Sequence, residues 1–67
     1  MIPIVLNGET RSIPRGQDLQ DLMESLALAG QALALAVNRE VVPRQRWAGY
    51  VLQAEDRIDI VRAIGGG

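Results

Sequence analysis

The last residues of the chain could take part in chemistry without offering a side chain, since the sequence ends Ile64-Gly65-Gly66-Gly67. Glycine lacks Cβ and adopts backbone conformations that are closed to other residues. Terminal glycines therefore present an unhindered carboxylate on a flexible stalk. A frayed terminus also tolerates small residues. From the tail alone, two interpretations remain open: a carboxylate that takes part in a reaction, and a terminus that has no function.

The side chains offer little chemistry of their own. The chain contains no Cys, His or Lys, and Tyr50 is its one tyrosine. Without a thiol or an imidazole, the usual nucleophiles and general bases are missing, so we expect no enzyme activity. Disulfides and thiolate or imidazole metal sites are excluded, and no acidic loop has the spacing of a calcium-binding hand. The sequence therefore predicts a chain that itself binds no metal or cofactor.

The composition predicts one small domain without nucleic-acid or membrane partners. The chain has 67 residues, of which 48% are apolar, and its net charge of −1 argues against a polyanion ligand. One Trp and one Tyr are too few for a base-stacking surface. No basic leader precedes an apolar stretch, and no apolar run approaches the roughly 18 residues of a membrane span. We therefore expect a cytoplasmic protein.

The N-terminal residues predict a β-hairpin followed by a helix. Apolar residues alternate with others from Ile2 to Leu6, and Asn7-Gly8 is a strong turn signal because both residues tolerate positive φ. The return strand is predicted over residues 9–13. Asp18 is a suitable N-cap, and Gly30 is the predicted stop of the helix. The apolar stripe of this helix comprises Leu19, Leu22, Met23 and Leu26.

The second half predicts short strands and one helical turn. Ala and Leu over residues 27–36 favour a helix by propensity, but we predict a loop there, followed by two strands over residues 35–42 about a turn in which Asn38 takes a left-handed conformation. Pro43 begins a helical turn that ends at Trp47, whose ring is expected in the core. The final strand is predicted over residues 57–62, since Ile58 and Ile60 alternate with Asp59 and Val61.

The order of hairpin, helix, short strands and closing strand resembles a ubiquitin-like β-grasp domain. This is an α+β fold with a small mixed sheet and one main helix packed across one face. Residues 35–47 (LAVNREVVPRQRW), Gly16-Gln17 and the isoleucines from Ile58 to Ile64 also resemble the ThiS family of sulfur carriers in thiamine thiazole biosynthesis. The resemblance implies a β-grasp domain over residues 1–64 and a glycine tail over residues 65–67.

The resemblance further implies the chemistry of Gly67. An E1-like adenylyltransferase would use ATP and Mg to adenylate the Gly67 carboxylate. A sulfur donor, a cysteine desulfurase or a related protein, would then displace AMP and leave a thiocarboxylate, which passes sulfur to thiazole synthase. Gly65 and Gly66 would thread through a channel too narrow for side chains. The small subunit of molybdopterin synthase and a lysine-linked protein modifier remain alternatives with the same tail.

Strand alternation predicts a surface for these partners. If the isoleucines of the first and last strands face the helix, Val5 and Val61 point outward on adjacent strands. Exposed apolar residues on a small sheet often mark interaction sites. We therefore predict a partner interface that includes Val5, Val61 and Ile64. Ordinary exposed valines, which surfaces commonly carry, remain the other interpretation.

Overall fold

The strands and helices fall close to the positions predicted for them. The computed structural model describes residues 1–28, 30–31 and 33–62, with Arg62 described by its backbone alone. Within these residues the elements are β1 (Ile2–Leu6), β2 (Glu9–Ile13), α1 (Leu19–Ser25), β3 (Leu33–Val37), β4 (Glu40–Val41), a 3-10 helix (Arg44–Arg46) and β5 (Arg57–Arg62). No helix in this described part has the length and apolar content needed to cross a membrane.

The strands form one mixed sheet in the order β2-β1-β5-β3-β4. β1 and β5 run parallel, with Val5 opposite Arg57, whereas the other neighbouring strands are antiparallel. β5 therefore lies in the middle of the sheet although it comes last along the chain. The predicted α+β class and small mixed sheet are confirmed. The predicted boundary between residues 64 and 65 lies outside the described residues and stays a prediction.

Both predicted hairpin turns are present. Asn7 and Gly8 have φ values of 49° and 86°, and Asn38 and Arg39 have values of 51° and 72°. Two consecutive residues with positive φ form the turn whose twist matches that of two antiparallel strands. Asn38 takes the left-handed conformation predicted for it. Arg39 takes one as well, although a residue with Cβ is strained there.

α1 begins as predicted but ends before Gly30. The Asp18 side chain accepts a hydrogen bond of 2.8 Å from the Asp21 N–H, which is the expected N-cap contact. At the other end, the left-handed residue is Ala27, with φ of 60°. Its N–H and that of Leu28 bond back to the carbonyls of Glu24 and Met23. These bonds satisfy the last helical carbonyls, so the prediction of Gly30 as the stop was wrong.

The core lies between α1 and one face of the sheet. Trp47 is 1% exposed, as predicted, and its Nε1–H donates a hydrogen bond of 2.9 Å to the Val42 carbonyl. Pro43 precedes the 3-10 helix as its N-cap and is not its first residue. The other buried apolar residues are Ile2, Ile4, Ile13, Leu19, Leu22, Met23, Leu35, Val37, Val42, Leu52 and Ile58.

Candidate functional site

The predicted reactive end follows directly from the central strand. Ile64, Gly65, Gly66 and Gly67 lie outside the described residues, so the structure characterises the strand that presents them. That strand, β5, hydrogen-bonds to β1 on one side and to β3 on the other. A tail that continues from a strand held in this way starts from a defined position and direction.

An asparagine from the second hairpin holds the start of β5. The Asn38 N–H donates to the Arg57 carbonyl at 2.7 Å, and the Arg57 N–H donates to Asn38 Oδ1 at 3.0 Å. Asn38 Nδ2 also donates to Asp56 Oδ1 at 3.0 Å. The turn between β3 and β4 therefore fixes the point at which β5 enters the sheet.

An asparagine from the first hairpin holds β5 closer to the tail. The Asn7 N–H donates to the Ile58 carbonyl at 2.9 Å, and Asn7 Oδ1 accepts a bond of 2.8 Å from the Ile60 N–H. The side chain thus continues the β1–β5 ladder for one position after β1 has ended. Sequence reasoning identified both asparagines as turn residues but missed these contacts, because positive-φ preference says nothing about a distant strand.

The structure places Val5 and Val61 on the same outer face but does not bring them together. The two strands are adjacent, as predicted, with Val5 opposite Arg57. Val61 is four positions farther along β5, which corresponds to about 13 Å. Val5 is half-buried and lines a shallow cavity of about 260 Å³ with Pro3, Thr10 and Glu55. The two valines therefore belong to different parts of the outer face.

Val61 instead continues an apolar surface across β3 and β4. It is 62% exposed and lies opposite Ala34, while Ala36 lies opposite Val41, which is 73% exposed. We call these four residues, Ala34, Ala36, Val41 and Val61, the outer strip. The strip begins on the strand that carries the tail. As an interface it stays a prediction, and Ile64, the third predicted member, lies outside the described residues.

The hydrogen bonds around Asp18 stabilise the fold and lower the pKa of its carboxyl group. The Asp18 carboxylate accepts hydrogen bonds from the backbone N–H of Gly49 at 2.9 Å and of Asp21 at 2.8 Å. These bonds, that from Gly49 foremost, lower the pKa of Asp18 below its ordinary value. Within residues 1–28, 30–31 and 33–62, the carboxylates form no group of three that could hold a metal ion.

Sequence comparison relates the chain to sulfur carriers over almost its whole length. The ThiS family model matches residues 4–67. The sulfur carrier protein ThiS of Escherichia coli strain K12 is 34% identical over 64 residues, which are 96% of this chain and 97% of that protein. A thiazole synthase of Magnetococcus marinus is 39% identical over 64 residues, which are 96% of this chain but 20% of that enzyme.

Structural comparison supports the same relationship at the level of the fold. The crystal structure of the thiamine biosynthesis protein ThiS from Geobacter metallireducens matches with a TM-score of 0.85 and 19% identity. The match covers 98% of this chain and all of that one. The predicted ubiquitin-like β-grasp fold is confirmed. With the family match reaching the terminal glycines, the chain belongs to the ThiS family.

Proposed function

We propose that this chain is a sulfur carrier in the biosynthesis of the thiamine thiazole, and that it works in the cytoplasm on the carboxylate of Gly67. The observation that carries the proposal is the end-to-end match with a sulfur carrier of nearly equal length, together with a family match that includes Gly67. The chain has no thiol or imidazole to act as a catalyst. It is therefore a substrate of its partner enzymes and not an enzyme.

Activation begins at the Gly67 carboxylate, which is a poor acceptor of nucleophiles because it is anionic and lacks a leaving group. An E1-like adenylyltransferase, which binds the ATP and Mg, joins a carboxylate oxygen to the α-phosphorus and releases pyrophosphate. The terminal sulfur of a persulfide on the donor, a cysteine desulfurase or a related protein, then attacks the acyl carbon, and AMP leaves. A thiol cleaves the S–S bond of the resulting acyl disulfide, which leaves a thiocarboxylate on the carrier and joins the thiol to the donor's sulfur in a disulfide.

The glycines of the tail make this end accessible. Gly65 and Gly66 thread through a channel that would exclude side chains, so that the carboxylate reaches the nucleotide while the domain stays outside. Near the reacting group, small errors of position can cost about 10²-fold in rate. β5 supports this arrangement, since the tail continues from a strand that lies between β1 and β3 and pairs with both.

Thiazole synthase is the acceptor of the sulfur. Two thiazole synthases, from Magnetococcus marinus and Paramagnetospirillum magneticum, contain a segment similar to this chain that makes up 20% of each enzyme. A carrier-like segment in the same polypeptide as the synthase raises their effective concentration. That linkage favours a carrier and a synthase that act on each other directly.

The partner surface is the outer strip, continued towards Ile64. The substitution Val61→Asp places a charge in this surface and should weaken binding to both enzymes. Val5→Asp tests the other predicted interface valine, which lies about 13 Å away along the strands. Equal weakening by both substitutions would place both valines in the interface, and weakening by Val61→Asp alone would confine it to the outer strip. A folded Val61→Asp variant with full affinity would remove the strip from it.

Intact-mass analysis tests the proposal directly. The carrier is incubated with the adenylyltransferase, ATP and a sulfur source, and the expected product has one oxygen replaced by sulfur in its last residue. Gly66→Val should fold but lose ATP–pyrophosphate exchange. Gly30→Val is the control, because a Cβ at Gly30 has nothing within 4 Å. An unchanged mass under conditions that convert a known carrier would refute the proposal.

Genetic complementation separates the thiamine pathway from the molybdopterin alternative. The gene should restore growth of a thiazole-requiring strain and should not restore molybdopterin synthesis. The Gly66→Val variant, produced at the same level, should fail in the thiazole-requiring strain. Rescue of the molybdopterin defect alone would assign the carrier to the other pathway.

A further inference from the structure

The end of β5 has strand partners on one side only. Its pairing with β3 runs from Ile58 to Arg62, opposite Leu33. Its pairing with β1 covers Arg57 and Ile58 alone, because β1 ends at Leu6. The last part of the central strand therefore has an edge that no other strand of the described chain covers.

The direction of the backbone groups on this edge follows from the two bonds to Asn7. The Ile58 carbonyl and the Ile60 N–H both point to the β1 side, where Asn7 meets them. Backbone groups of alternate residues in a strand point to the same side. The Ile60 carbonyl and the Arg62 N–H therefore point to the β1 side too, beyond the position where the Asn7 side chain ends the ladder.

The first hairpin turns away from this edge. Asn7 and Gly8 turn the backbone away into β2, which lies on the far side of β1. A row of backbone donors and acceptors that no described strand covers is the arrangement to which another extended chain can add. Only Ala63 and Ile64 separate the last residue of this edge from Gly65. The tail therefore begins within about 10 Å of the edge.

We propose that this edge, residues 60–62 of β5 on the side of β1, docks an extended segment of the adenylyltransferase, which adds there as a further short strand. The inference rests on the proposed function, since it assumes that such an enzyme binds the tail. Ordering glycines carries a large entropic cost, and binding the backbone immediately before them shortens the segment that must be ordered. Backbone bonds also fix the direction in which the tail enters the enzyme.

Removal of the Arg62 N–H tests the edge. Arg62→Pro deletes a donor that points to the β1 side, while the ladder to β3 uses the groups of Asp59 and Val61. Arg62→Ala is the matched control, because it retains the N–H. We expect the proline variant to raise the KM for the carrier in ATP–pyrophosphate exchange roughly tenfold relative to the alanine variant, as the loss of one or two backbone bonds would.

Proline at the neighbouring position checks the assigned directions. Val61→Pro removes an N–H that faces β3 and should lower the melting temperature, whereas Arg62→Pro should melt close to Arg62→Ala. If Arg62→Pro does not fold, hydrogen exchange of the wild-type carrier decides the matter. The Arg62 amide should exchange at least about tenfold more slowly when the enzyme is added without ATP.

The possible outcomes separate a failure of the proposed docking edge from a failure of the proposed function. No exchange activity with the wild-type carrier would mean that the proposed function fails. Full activity with equal KM values for Arg62→Pro and Arg62→Ala would overturn the docking edge and leave the sulfur carrier intact. Unchanged exchange of the Arg62 amide in the complex would overturn it as well.

Discussion

The hairpin of β1 and β2 and the hairpin of β3 and β4 use the same kind of turn but are held in different ways. The first pairs five residues with five, from Ile2 opposite Ile13 to Leu6 opposite Glu9. The second has two pairs, between Ala36–Val37 and Glu40–Val41. The first hairpin can therefore rely on its own ladder, whereas the second needs support from elsewhere in the chain.

The support for the second hairpin comes from the segment that follows it. Val42 donates to the Leu35 carbonyl at 2.8 Å and accepts the Trp47 Nε1–H at 2.9 Å. The Arg44 guanidinium lies 5.1 Å from the centre of the Trp47 ring and bonds to the Gln31 carbonyl. One hairpin is therefore stabilised by its own ladder, and the other by contacts with residues that follow it in the chain.

The largest effect should come from removing that support. Trp47→Ala deletes a buried ring, which typically costs about 3–5 kcal/mol. A core in a domain of this size supplies only ~3–5 kcal/mol, so we expect an unfolded chain by far-UV circular dichroism. Trp47→Phe keeps most of the volume but leaves the Val42 carbonyl without its donor, at a cost of about 1–3 kcal/mol. Cooperative melting of the alanine variant near the wild-type temperature would contradict this account.

The next largest loss of stability should distinguish the two turn asparagines, Asn38 and Asn7. Glycine accepts the same positive φ but has no side-chain amide. Asn38→Gly therefore loses two side-chain hydrogen bonds, and Asn7→Gly loses one. Exposed bonds of this kind contribute about 0.5–1.5 kcal/mol each. Urea denaturation should therefore give about 1–3 kcal/mol of destabilisation for Asn38→Gly and roughly half of that for Asn7→Gly. A larger loss at Asn7 would reverse the comparison.

A smaller effect should follow from substitution of the second residue in each of the two turns. Arg39→Gly relieves a left-handed conformation and should stabilise the fold by about 0.5–1 kcal/mol. Gly8→Ala introduces the same strain into the first hairpin and should destabilise it by about 1 kcal/mol. A Cβ at Gly8 meets nothing within 4 Å, so the cost is one of backbone conformation alone. Thermal melting that shows no gain for Arg39→Gly would argue against strain in the second turn.

The smallest effect should appear on acidification. The hydrogen bonds to Asp18 lower its pKa in the folded protein, so the unfolded chain takes up the proton first as the pH falls. Their stabilisation is complete above the ordinary Asp pKa of the unfolded chain, 3.8, and is lost as the pH falls through the lower pKa of the folded protein. Because Asp18 accepts a bond from the Gly49 N–H, acid should lower the protection of the Gly49 amide from exchange, measured against the rate of an unprotected amide at the same pH. Asp18→Asn should flatten the pH dependence of stability in this range.

Local patterns predicted the parts of the fold that depend on neighbouring residues. The alternation in β1 and β5, the turn at Asn7-Gly8 and the N-cap at Asp18 each follow from a short window of sequence. The end of α1 was missed because Ala27 adopts a conformation that propensity assigns to glycine. Here the two backbone bonds that close the helix outweigh the local preference.

The candidate site depended on information that no short window contains. The separation of Val5 from Val61 follows from the register of two strands that lie at opposite ends of the chain. The bonds from Asn7 and Asn38 to β5 are likewise long-range. The tail glycines were recognisable from composition and family resemblance, but the surface that accompanies them required the register of the sheet.

The central position of β5 has a consequence for how the protein is made. The two hairpins lie on either side of β5, so the sheet cannot be completed until that strand has been synthesised. Parallel pairing between β1 and β5 joins residues near the two ends of the chain, and such distant contacts form late in folding. A polypeptide released before β5 should lack a stable core. Folding therefore selects against truncated products of translation, since only chains that include β5 become folded carriers.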